Sequence, residues 1–74
     1  MKQSETVSNR RLKMLIEQYV EARKRQHDFV STDLASRAVR QVILSPISDR
    51  ALDELIAICA IERGIAVRFD RSAI

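Results

Sequence analysis

The chain has one cysteine, one histidine, one glycine and one proline among its 74 residues, and no tryptophan. Each scarcity closes a route. Cys59 has no second cysteine to pair with inside the chain, and within an apolar run it reads as a small buried hydrophobe. His27 has no other histidine or cysteine at ligand spacing, so no metal site and no cofactor are expected. A single glycine, Gly64, cannot build a phosphate-cradling loop. The lone cysteine and the lack of an apolar leader near Met1 lead to the expectation of a reducing, cytoplasmic setting.

Catalytic groupings are equally sparse. Ser31, His27 and Asp28 are neighbours, but they fall in a linker where capping residues are already needed. Asp53 and Glu54 diverge by about 100° on a helix and cannot act as an acid–base pair. The chain is therefore expected not to be an enzyme, with no catalytic residues.

What is present is helix-forming composition and an uneven charge. Residues 1–27 carry seven Lys or Arg against three acids, whereas residues 28–74 carry six Arg against seven acids. The first predicted helix, residues 8–27, places Leu12, Leu15, Ile16, Tyr19 and Val20 on one stripe, with Ser8 as its cap and Glu21–Arg25 as an i, i+4 pair. The second, residues 32–44, is capped by Ser31 or Thr32 and repeats Leu34, Ala35, Ala38, Val39, Val42 and Ile43; Ser45 before Pro46 ends it. The third, residues 49–63, has the best-marked limits. Ser48 caps it, Ile47 and Leu52 form a hydrophobic staple, and Gly64 stops it. Ile65, Val67 and Phe69 then alternate with Ala66, Arg68 and Asp70 at the period of a strand, and no other segment reads as one.

These elements predict a mainly α fold: residues 1–7 as a disordered N-terminal tail, and residues 8–74 as a single helical domain of three helices with a short C-terminal β-strand or extended tail. The third helix raises a packing problem. From Leu55 to Ile61 it runs through seven residues without a polar side chain. If Leu52, Leu55, Ile56 and Cys59 face the other helices, then Ala57, Ile58 and Ile61 point elsewhere. The run is far short of the ~20 residues of a membrane span. A core this small supplies only about 3–5 kcal/mol, and domains of this size commonly take a partner subunit. The expected solution is a homodimer, or another obligate protein partner, with an interface of Ile58, Ile61, Ile65, Val67 and Phe69 and with the strands paired across a two-fold axis. The expected role is a non-enzymatic interaction or regulatory module.

The alternative is a small basic nucleic-acid-binding regulator using Arg10, Lys13, Arg23, Lys24 and Arg25. Helices two and three have the outline of a helix-turn-helix, but the second of them opens with three acids, Asp49, Asp53 and Glu54, to one base, Arg50, and that excess repels a duplex. On the first helix, Glu17 and Glu21 interrupt the basic face.

Overall fold

The computed structural model describes residues 2–43 and 45–71, with side chains from Arg10 onward. The chain is mainly helical, as its composition predicts, and its order is α1 (Lys2–Lys24), β1 (Phe29–Ser31), α2 (Thr32–Val42), α3 (Asp49–Glu62), β2 (Ala66–Arg68).

Helix α1 begins at Lys2, upstream of the Ser8 cap expected from the sequence. Residues 2–7, expected as a tail, carry neither glycine nor proline, and nothing in them breaks the helical hydrogen-bond series. Its core stripe is Leu12, Ile16 and Val20, with Leu15 and Tyr19 half-buried beside it.

The principal departure from expectation is β1. Residues 29–31 read as a linker, yet they form a strand that pairs in parallel with β2, in the register Phe29↔Ala66, Val30↔Val67, Ser31↔Arg68. Parallel strands need a long crossover, and α2 and α3 supply it. The C-terminal strand thus finds a partner within its own chain, in place of the expected pairing of two strands across a dimer axis.

Ser31 ends β1 and caps α2, its Oγ accepting the Leu34 N–H at 3.1 Å. The buried face of α2 is Thr32, Ala35, Ser36 and Val39. Leu34 and Val42, assigned to the apolar stripe from their spacing, are exposed. The helix closes at Val42, with Ile43 extended, two residues before the expected end at Leu44, which lies outside the described residues. Arg40 then fastens the turn to α3. Its guanidinium donates to the Ser45 carbonyl (3.2 Å), the Ile47 carbonyl (2.7 Å) and the Asp49 carboxylate (3.0 Å).

Both ends of α3 follow their sequence signals. Ser48 Oγ accepts the Ala51 N–H at 3.1 Å, and Ile47 packs on the core that contains Leu52. At the other end Gly64, at φ 76°, donates to the Ile61 carbonyl while Ile65 N–H donates to that of Ala60, which is the Schellman arrangement. Ile65 therefore turns inward. The core gathers Leu12, Ile16 and Val20 from α1, Val30 from β1, Ala35 and Val39 from α2, Leu52, Ile56, Cys59 and Ala60 from α3, and Ile65. Ala57 is also buried, so α3 is covered over a wider arc than the wheel anchored on Leu52 implied.

Candidate interaction surfaces

Two surfaces of the fold are candidates for function: an uncovered apolar strip on α3 and a cationic face on α1. The strip is what remains of α3 after its small side chains, Ala57, Cys59 and Ala60, have been buried. Ile58 is 54% exposed and Ile61 68%. Leu55, half-buried, continues the strip inward, where a groove between α1 and α3 is lined by Lys13, Ile16, Leu55, Ile58, Cys59 and Glu62. The strip is therefore flanked by one cation and one anion at the groove, and by the Arg50–Glu54 pair (3.8 Å) nearer the helix start.

The five residues expected to form one interface do not lie together. Ile65 is a core residue and Val67 packs against that core, because β2 folds back on α3 and pairs with β1. Phe69 is 65% exposed. Its neighbours Asp70 and Arg71 are tied to the N-terminal ends of α2 and α3, whereas Ile58 and Ile61 lie in the C-terminal half of α3.

Those ties form a clasp that the sequence did not announce. The Asp70 carboxylate accepts the Ser31 hydroxyl (2.8 and 2.9 Å to its two oxygens) and the Asp33 N–H (3.1 Å). The Asp33 N–H, and with it the Ser31 hydroxyl, hold the Asp70 carboxyl below the ordinary carboxylate range. Arg71 makes a two-pronged pair with Asp53 (2.9 and 2.7 Å) and reaches Asp49 at 3.4 Å. The acids that open α3 are thus engaged with Arg40, Arg71 and Arg50, which leaves the start of that helix committed to the fold rather than open to a duplex.

On α1 the structure rearranges the expected charge pattern. Glu21 pairs with Arg63 of α3, at 2.8 Å, instead of with Arg25; Glu17 lies 3.9 Å from the same guanidinium. A cation at the C-terminal cap of α3 therefore offsets in part the two acids that interrupt the basic face. Arg63 also donates to Cys59 Sγ at 3.5 Å, and burial pushes that thiol above its ordinary value while Arg63 pulls the other way. Arg10, Lys13, Lys24 and Arg25 are exposed, as is Arg11, which sequence reasoning passed over although its helical phase lies near that of Arg25. Arg23 belongs elsewhere. It is half-buried, with its guanidinium over the Tyr19 ring at 5.8 Å, because its phase places it beside the core stripe.

Ser31, the hydroxyl in the Ser31–His27–Asp28 grouping, is occupied as a cap and as a donor to Asp70. Among the described residues no three His, Cys, Asp or Glu side chains form a cluster of the kind that holds a metal, and no helix is long and apolar enough to cross a membrane. No family model, characterised protein or solved structure matches this chain.

Proposed function

We propose that this chain is a non-enzymatic interaction module that pairs with a second copy of itself through the exposed strip of α3. The observation that carries the reading is the 54% and 68% exposure of Ile58 and Ile61 on a helix whose other sides are packed. Large aliphatic side chains left uncovered together, inside a charged rim, are a common feature of association surfaces. A second copy is the occupant, two-fold pairing being the commonest arrangement among soluble oligomers: with two α3 helices antiparallel, Ile58 lies at the two-fold axis against its own counterpart. Ile65 and Val67 take no part, and the two-stranded sheet stays internal to each copy.

Sedimentation equilibrium from about 10 to 500 μM, a range bracketing a weak dimer, tests the reading. The expected result is a mass approaching twice 8.5 kDa as concentration rises. The double variant Ile58→Gln, Ile61→Gln is expected to stay monomeric with its helical circular dichroism unchanged. A parent chain that remains monomeric throughout, or a double variant that pairs equally well, overturns the reading.

A further inference from the structure

The cationic face of α1 carries an inference that stands independently of self-pairing. Arg10, Arg11, Lys13, Lys24 and Arg25 are all exposed, and none of them has a carboxylate within ion-pair distance among the described residues. By helical phase Lys13, Lys24, Arg10 and Arg25 fall within about 120° of one another, with Arg11 about 40° further round. Along the axis they form two groups, residues 10–13 and residues 24–25, about 20 Å apart at 1.5 Å per residue. Between them lie Glu17 and Glu21, whose two charges are offset in part by the single charge of Arg63. The face thus reads positive, weakly negative, positive along a straight rod.

We infer that this face binds the phosphate backbone of double-stranded nucleic acid, with the two cationic groups on opposite walls of a groove. A spacing of about 20 Å spans a major groove about 12 Å wide and reaches the phosphates on both sides. Contacts of this kind hold without reading base sequence. An anionic membrane is the poorer match, because among the described side chains Met14 is the one large apolar group on this face and no aromatic anchor stands beside it. Arg63 acts as a positioning residue: it touches no phosphate, and it offsets about half of the charge of Glu17 and Glu21.

The test is fluorescence anisotropy of the full chain with a labelled duplex of arbitrary sequence, repeated across NaCl concentrations. With four or five phosphate contacts the logarithm of affinity is expected to fall against the logarithm of salt with a slope of about −4. Affinity then drops by two to three orders of magnitude between about 50 and 200 mM salt. Lys24→Ala with Arg25→Ala is expected to make the slope shallower by about 2, since each lost contact removes about 0.9. Arg63→Ala is expected to weaken binding by exposing both glutamates, and adding Glu17→Gln and Glu21→Gln to that variant should restore it. Arg37→Ala, on α2 and paired with Asp33, is expected to leave the slope unchanged. The variant Ile58→Gln, Ile61→Gln should keep the same slope per chain, so failure of self-pairing and failure of this inference are distinguishable. No duplex binding at about 50 mM salt, an unchanged slope in the Lys24/Arg25 variant, or stronger binding to phosphatidylserine vesicles than to duplex overturns it.

Discussion

Replacing Asp70 by alanine is expected to destabilise the whole domain, although Asp70 itself is exposed. Its carboxylate takes two protons out of solvent: that of the Ser31 hydroxyl, shared between its oxygens, and that of the Asp33 N–H. Both donors belong to the first turn of α2 or its cap, where an anion also meets the positive end of the helix dipole. Screening by water limits each contact, so the pair is worth about 1–2 kcal/mol rather than the larger value of a buried charge-assisted bond. For a domain of this size that corresponds to a melting temperature lowered by roughly 5–15 °C. Asp70→Asn keeps an acceptor for the Asp33 N–H and loses the charge, and should cost about half as much. The pH dependence provides the sharper control. The folded-state pKa of Asp70 lies below its unfolded value, so its stabilisation is complete above about pH 4 and is lost as pH falls through the folded-state pKa. With no tryptophan to report, unfolding is best followed by urea titration at the helical circular dichroism band. The gap between parent and Asp70→Ala should be widest at neutral pH and close toward about pH 2. An alanine variant as stable as the parent at neutral pH, or a gap that persists undiminished in acid, refutes the clasp as the origin of the effect.

Two further substitutions probe places where the backbone or a polar group sits uneasily. Thr32 is fully buried, and its hydroxyl has no hydrogen-bond partner among the described residues, so Thr32→Val removes an unsatisfied group at nearly constant volume. Thermal melts should show Thr32→Val at least as stable as the parent and up to about 1 kcal/mol more so; a loss beyond that size would mean the hydroxyl has a partner. Gly64 has open space around its α-carbon but sits at φ 76°. Gly64→Ala should therefore cost about 1 kcal/mol through backbone conformation alone, measured by urea titration, and no loss would mean that the α3 stop does not depend on a left-handed residue.

How much of this was legible depended on how local the chemistry was. The ends of α3 rest on neighbours in sequence (Ser48 with Ala51, Gly64 with Ile61), and the capping pattern displays them. The three helices follow from apolar spacing in the same way. Strand β1 was not legible because three residues are too few to display an alternation, and Phe29–Ser31 becomes a strand only against β2. The side of α3 left bare was half legible. Ile58 and Ile61 were singled out by phase, while the burial of Ala57 depends on tertiary packing around the helix. The clasp and the pairing of Arg63 with Glu21 had no signal at all, since Ser31–Asp70 is separated by 39 residues and Arg63–Glu21 by 42. An ion pair across such a distance is a product of topology, and only the charges, not the pairing, are written in the chain.

The internal sheet also changes what self-pairing can be. With β2 hydrogen-bonded to β1, association no longer has backbone groups to satisfy and rests on side-chain area. The exposed parts of Ile58 and Ile61 amount to about 200 Å² per copy, or roughly 5 kcal/mol if wholly removed from water and roughly 10 for two copies. Loss of free tumbling costs at least about 4 kcal/mol. The surplus is at most about 6 kcal/mol, which corresponds to dissociation no tighter than the tens of micromolar. Such a dimer exchanges freely with monomer. A weak pair of this kind would gain most from a shared scaffold, because two copies held on one duplex by their α1 faces meet at an effective concentration in the millimolar range. Self-pairing through α3 and phosphate binding through α1 would then reinforce each other, and the variant Ile58→Gln, Ile61→Gln should bind long duplexes without cooperativity while keeping the salt slope of a single copy.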